Sequence, residues 1–258
     1  MLSKNTIKYL NSLKEKKYRD LKNEFIVEGE KSVYEFLKYP ENIKAIYALP
    51  AWINQNIEKL KLINNINEIS VDLLKKISNL KTPNNVIAIV KKTHSTIDFN
   101  HNNLILVLDG IRDPGNIGTI IRIADWFGID YLICSPDTVD PYNPKAVQSS
   151  MGSLCRVKVL ELPLDQFFNM LPHDFMVYGT LINATPINNI KLQQKAVIII
   201  GNEAKGISNN IIKFVSCKIS IPSYMHELKV KGKADSLNAA IAASILCYEF
   251  KKQNNNNS

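Results

Sequence analysis

Leu104-Ile105-Leu106-Val107-Leu108-Asp109-Gly110-Ile111-Arg112-Asp113-Pro114-Gly115-Asn116-Ile117-Gly118 is the stretch that decides how this chain is read. Five consecutive apolar residues without polar alternation describe a strand buried on both faces, as in a parallel sheet. A Pro-Gly turn follows, then a helix expected from about Gly118 to Phe127 and a strand at Tyr131–Cys134. Toward the C-terminus the alternation continues, predicting strands at Val157–Leu160, Met176–Thr180, Ala196–Ile200 and Lys218–Ile221. Helices are expected at Lys145–Met151, Leu164–Leu171, Ile207–Phe214 and Ser236–Phe250, with a polar, frayed tail from Lys251 to Ser258. Strands alternating with helices give an α/β domain on a mostly parallel sheet.

Toward the N-terminus the pattern predicts a second, smaller α/β unit. Residues 1–20 read as basic helix, with Lys8, Lys14, Lys16, Lys17 and Arg19. Phe25-Ile26-Val27 is a short strand, followed by Gly29 and an amphipathic stretch through Val33, Phe36 and Leu37. Ile43–Leu49 and Val86–Val90 read as strands, Ala51–Ile63 and Val71–Leu80 as helices. The polar stretch Lys91–Asn103 is the linker candidate, which divides the chain into domains 1–98 and 99–258.

Composition narrows the function classes. The four cysteines, at 134, 155, 217 and 247, include no C-x-x-C pair, so neither a disulfide framework nor a zinc site is suggested and a cytoplasmic protein without metal is expected. No apolar run approaches the ~18 residues of a membrane span, and the start is polar. The net charge of +8 favours a polyanionic partner; residues 1–98 hold 17 Lys and Arg against 11 Asp and Glu, residues 99–258 hold 15 against 13. Only four of the 32 basic residues are Arg, and two of these, Arg112 and Arg122, fall in or just beyond the quoted stretch, where a forked guanidinium is suggested. Nine of the ten glycines lie beyond residue 100, several directly after strand ends, where ligands bind in open parallel sheets.

Three segments carry candidate chemistry. Asp109–Arg122 runs from strand through turn into helix; its glycines and helix N-terminus suit an anion, and Asn116 and Arg122 would face one site, or it is an ordinary corner with a capping Asn. Ile198–Ile207 ends an apolar strand in the glycine loop Gly201-Asn202-Glu203-Ala204-Lys205-Gly206, where Glu203 is a site carboxylate or a solvated one. Ile219–Pro222 and Asp235–Ser244 hold a strand end and a capped helix, Ser236 or Asp235 being the cap, with an alanine-rich packing face.

Together, in this order and spacing, D-G-I-R-D-P-G-N-I-G-T, G-N-E-A-K-G and S-L-N-A-A-I-A-A resemble the signature motifs of SpoU-type (TrmH-like) RNA 2′-O-ribose methyltransferases of the SPOUT superfamily, over most of residues 104–250. Asn143-Pro144-Lys145 through Ser150-Met151-Gly152 resembles the family's connecting stretch. Phe25–Glu30 resembles the entry to the RNA-binding domain often attached to these enzymes, itself similar to ribosomal proteins that recognise kinked RNA. The resemblance implies a knotted (trefoil) methyltransferase domain preceded by a small α/β RNA-binding domain, and a homodimer with its active site near the subunit interface. It implies S-adenosylmethionine as methyl donor and RNA as acceptor, ribosomal 23S RNA ahead of transfer RNA, and not DNA. It places Asn116, Arg122 and Glu203 at the transfer site. Thr180, Gly201, Ile221, Ser236, Leu237 and Asn238 would hold the cofactor.

Two features depart from the family. Gln148 stands where Arg is frequent, and the stretch Tyr224–Lys233, with Lys229, Lys231 and Lys233, lengthens the loop before the third motif as an RNA contact or a solvated insertion. The rival readings are a catalytically silent RNA-binding protein on the same fold, a base methyltransferase, and a Rossmann-type nucleotide enzyme; no G-x-G-x-x-G follows any expected strand, which counts against the last.

Overall fold

A computed structural model describes residues 2–93, 95–101, 103–223 and 236–255. The basic stretch 224–233 and the candidate cap Asp235 lie outside the described residues. The chain divides into two compact units, one of residues 1–94 with 140–155, the other of residues 95–139 with 156–258. In chain order the elements are α1 (Lys4–Ser12), α2 (Lys16–Lys22), β1 (Glu24–Glu28), α3 (Glu30–Phe36), β2 (Ile43–Ala48), α4 (Pro50–Gln55), α5 (Ile57–Leu60), β3 (Ile66–Glu68), α6 (Val71–Ile77) and β4 (Val86–Lys91). There follow β5 (Leu104–Asp109), α7 (Pro114–Trp126), β6 (Tyr131–Cys134), α8 (Pro144–Ser150), β7 (Lys158–Glu161), α9 (Leu164–Met170), β8 (Met176–Pro186), β9 (Ala196–Gly201), α10 (Asn209–Ile212), β10 (Cys217–Ser220) and α11 (Ala239–Asn255).

The first unit is a four-stranded sheet in the order β1-β4-β2-β3, antiparallel except for the β2–β3 pair. Leu10, Leu13, Ile26, Ile77, Ile87 and Ile89 form its core. Residues 140–155, inserted in the chain between β6 and β7, belong to this unit. The α8 helix packs on β1, and the Tyr142 ring lies 4.8 Å from that of Phe25. Arg19, 2% exposed, donates from Nε and Nη2 to Asp140 and from Nη1 to the carbonyls of Leu13 and Lys14. Gly152, at φ +91, comes so close to Glu35 that a Cβ would stand 2.6 Å from the Glu35 Cβ.

The second unit is a six-stranded sheet, parallel throughout, in the order β10-β8-β9-β5-β6-β7. The central β5 is buried along its whole length, as its unbroken apolar run requires. From β5 the chain moves outward to β6 and β7, whereas β9 is followed by β10 on the opposite side. Neighbouring strands whose continuations diverge form a topological switch point, and ligands bind beyond the carboxyl ends of such strands. The β5–β9 pair is that point, with Asp109 opposite Gly201. Phe250 of α11 meets Tyr178 of β8 edge-on at 5.0 Å, and α11 also packs on α7.

Several boundaries differ from the sequence reading. The α7 helix starts at Pro114, four residues early, because Asp113 caps it and proline suits the first helical position. The expected helix 51–63 breaks at Asn56, whose side chain turns back to the Trp52 carbonyl. The short β3 was not foreseen. The β8 strand runs on to Pro186, the expected helix 207–214 shrinks to α10, and α11 continues through Asn255 where a frayed tail was expected.

Candidate functional site

The loops after β5 and β9 are stapled together. Asp109 Oδ2 accepts from both the backbone N–H and the hydroxyl of Ser208, each at 2.7 Å. Gly110, at φ +72, donates its N–H to Ser135 Oγ at 2.9 Å, and its carbonyl accepts from Asn202 Nδ2 at 2.7 Å. The β9 loop closes on itself through paired backbone bonds between Asn202 and Gly206. A Cβ on Gly201 would lie 2.3 Å from the Gly206 carbonyl carbon, so only glycine fits at the foot of this loop.

Above this base a chain of side chains joins all three motifs. Asn116 Nδ2 donates to Glu203 Oε1 at 2.7 Å, and Asn116 Oδ1 accepts from Asn238 Nδ2 at 2.9 Å. Asn238 Oδ1 accepts in turn from the N–H groups of Ala240 and Ile241, so Asn238 caps α11 where Ser236 was one expectation. At α7 the cap is Asp113, whose Oδ1 accepts from the Asn116 N–H at 2.9 Å, not an asparagine. A carboxylate therefore already takes that helix N-terminus, where an anion was one expectation.

From this chain a groove of about 500 Å³ runs between α7 and α11. Asn116, Thr119, Arg122 and Trp126 line one wall, Asn238, Ile241 and Ser244 the other. Among the described residues no acidic side chain lines it, and the exposed Arg122 has no ion-pair or hydrogen-bond partner. A guanidinium in a groove without carboxylates suits an anionic ligand.

The structure thus brings Asn116, Glu203 and Asn238 into one hydrogen-bonded chain, with Arg122 in the adjoining groove. Gly201 ends β9 and Ile221 directly follows β10, whereas Thr180 lies within β8, one residue beyond its pairing with β9; Thr180 Oγ1 donates to the Ile199 carbonyl at 2.8 Å. The β8–β10 pairing jumps from Gly179 to Thr185 across one residue of β10, so residues 180–184 bulge from the ladder at this edge. Ser236 and Leu237 are exposed and immediately precede Asn238. No hydrogen bond among the described residues joins Thr180, Gly201, Ile221, Ser236 or Leu237 to the Glu203–Asn116–Asn238 chain. Sequence reasoning did not single out Asn202, Ser135 or the Asp109–Ser208 bonds. An Asn at the start of a glycine loop signals a local turn, but its partner across the sheet edge has no local signal. Among the described residues no His, Cys, Asp and Glu group is arranged to hold a metal.

Comparison with known proteins gives two matches along the chain: residues 103–248 match the model of the SpoU rRNA Methylase family, and residues 4–88 that of the MRM3-like substrate binding domain. RlmP of Bacillus subtilis (strain 168), named a 23S rRNA (guanosine(2553)-2′-O)-methyltransferase, is 29% identical over 252 residues, 95% of each chain. The structure of a TrmH-family protein from Porphyromonas gingivalis superimposes with a TM-score of 0.82 at 31% identity, covering 98% of this chain and 99% of that one. That of an AdoMet-bound rRNA methyltransferase from Sinorhizobium meliloti does so with 0.81 at 25% identity, covering 98% and 96%.

Proposed function

The chain belongs to the SpoU rRNA methylase family, and on that premise we propose how its residues move a methyl group from S-adenosylmethionine to a ribose 2′-hydroxyl of RNA. It is an RNA 2′-O-methyltransferase with S-adenosylmethionine as cofactor. The observation that carries the residue assignment is the hydrogen-bonded chain Glu203–Asn116–Asn238, which ties the three motifs together at the β5–β9 switch point beside a free guanidinium.

The residues present fit an adenosyl group. Leu237 offers an exposed apolar side chain next to Asn238, and Thr180, Gly201 and Ile221 offer backbone groups at the sheet edge where residues 180–184 bulge out. When bound, the cofactor supplies an electrophilic methyl group. Asn116, its amide fixed by Glu203 and Asn238, orients the ribose. Arg122 stays protonated, clamps a neighbouring phosphate and stabilises negative charge on the 2′-oxygen. So held, the 2′-oxygen would be placed to receive the methyl group that a bound cofactor would supply, its hydroxyl proton passing to water. Holding the reactants in line is the larger part of the catalysis.

The substrate is 23S ribosomal RNA, a reading supported by the full-length likeness to RlmP and by the substrate-binding match at residues 4–88. Residues 1–98 grip the RNA, and residues 99–258, knotted toward the C-terminus, carry the transfer. The protein works as a homodimer in the cytoplasm, and DNA, which lacks the 2′-hydroxyl, is not a substrate. Among the described residues no helix is long and apolar enough to cross a membrane.

The test is mass mapping of 2′-O-methyl groups after incubating the protein with S-adenosylmethionine and total unmethylated RNA. One new methylated ribose in 23S RNA is the expected result. A methyl group on transfer RNA instead overturns the substrate. A protein that binds RNA but neither binds the cofactor nor transfers methyl is the silent RNA-binding protein.

A further inference from the structure

We infer that Asn202 is a positioning residue for methyl transfer: its side-chain amide locks the Glu203 loop to the Gly110 turn and so fixes where Glu203 meets Asn116. The inference rests on the reading of Glu203 and Asn116 as site residues. Glu203 is exposed and stands on a loop of three residues between Asn202 and Gly206. An exposed carboxylate on so short a loop has no packing to aim it. Asn202 supplies the aim with three bonds. Its Oδ1 accepts from the N–H groups of Ala204 and Lys205, at 3.0 and 3.1 Å, which shapes the loop from within. Its Nδ2 donates to the Gly110 carbonyl at 2.7 Å, which fastens the loop to the turn leading into α7, the helix that carries Asn116. The two functions sit on different atoms of one side chain, so chemistry separates them.

Asn202→Asp is the discriminating change. An ionised carboxylate still accepts from Ala204 and Lys205 but cannot donate to a carbonyl, so the loop keeps its shape and loses its fastening. Asp137 lies beside Gly110, Asp109 and Glu203 are the chain neighbours of Gly110 and Asn202, Lys205 is on the loop itself and Arg112 stands two residues beyond Gly110. The surrounding negative charge favours the protonated form of an introduced aspartate, and a protonated carboxyl can donate to Gly110 again.

The measurement is steady-state methylation of the RNA that the wild-type protein modifies, across a range of pH, with cofactor affinity and thermal midpoint recorded alongside. For N202D at neutral pH, kcat falls about a hundredfold, the scale expected from a small misplacement of reacting groups. KM for RNA and the cofactor affinity change less than about twofold, since neither ligand's grip passes through the fastening. The deficit relative to wild type then narrows as the pH is lowered toward the carboxyl's range, ~4 and above. A lost turn alone would give a deficit independent of pH, and that result overturns the inference, as does a wild-type kcat. Should N202D fail to fold, Asn202→Ser, able to cap the loop but too short to reach Gly110, must show the same kcat loss, and wild-type turnover in it overturns the inference. An inactive wild-type protein overturns the functional reading and this role with it.

Discussion

Arg122 stands apart from the other arginines with described partners. Arg19 places four N–H bonds on Asp140 and two carbonyls, and Arg156 grips Asp125 with Nε and Nη2. In a chain that otherwise uses lysine for positive charge, both sites need the forked guanidinium, and Arg122 holds the same fork open toward the groove. Arg122→Lys should therefore lower the transfer rate about 10²- to 10³-fold while cofactor affinity and thermal midpoint stay near wild type. Isothermal titration with single-turnover methylation checks this, and near-normal transfer would refute the clamp. Cys247 makes a second prediction at this scale. Burial pushes its thiol up to about 12 from an ordinary 9.0. The fold favours the protonated form, so the stability it contributes is full below about 9 and is lost as the pH climbs toward about 12. Burial raises Tyr47 and Tyr178 in the same direction. Chemical unfolding along an alkaline series should show a shallower decline for Cys247→Ala than for wild type; parallel curves would count against it.

Among the elements, the connection between β6 and β7 departs most from expectation. Two adjacent parallel strands need a crossover, usually a helix laid on their own sheet. Here residues 140–155 instead complete the N-terminal unit, with Ala146, Val147 and Ser150 of α8 buried and α8 packed on β1. The Arg19–Asp140 pair fastens the start of this segment, both side chains being almost fully buried. Removing one partner of such a pair strands a buried charge. Asp140→Asn should cost about 3–5 kcal/mol in urea unfolding, whereas the paired replacement Arg19→Met with Asp140→Leu should cost much less. Equal losses in the two proteins would show that packing, not the stranded charge, sets the cost.

For the whole molecule, α7 and α11 leave an apolar face uncovered: Trp126 is 84% exposed, and Ile241, Ile245 and Tyr248 lie exposed on α11. Contiguous exposed apolar groups mark an interface, and a second copy of the chain is the proposed cover. Sedimentation should find a dimer for the wild-type protein and a monomer for Ile241→Glu; a monomeric wild type would remove the proposal. Much of the architecture was legible before the fold. The unbroken apolar runs of β5 and β9 and the glycines at their ends announced a parallel sheet with a site expected at its carboxyl edge, because strand burial and loop glycines leave local traces in sequence; Asn116, Glu203 and Asn238 were named by the resemblance of the three motifs to the family. Their hydrogen-bonded chain, the caps at Asp113 and Asn238, the Asn202 fastening and the capture of residues 140–155 by the other unit were not legible. Each joins groups distant along the chain or selects among neighbouring candidates by geometry. The sequence by itself determined which strands are buried and which residue types gather at their ends. Only the tertiary structure decided who bonds to whom, because a hydrogen bond or ion pair depends on distance and direction, which local pattern does not carry.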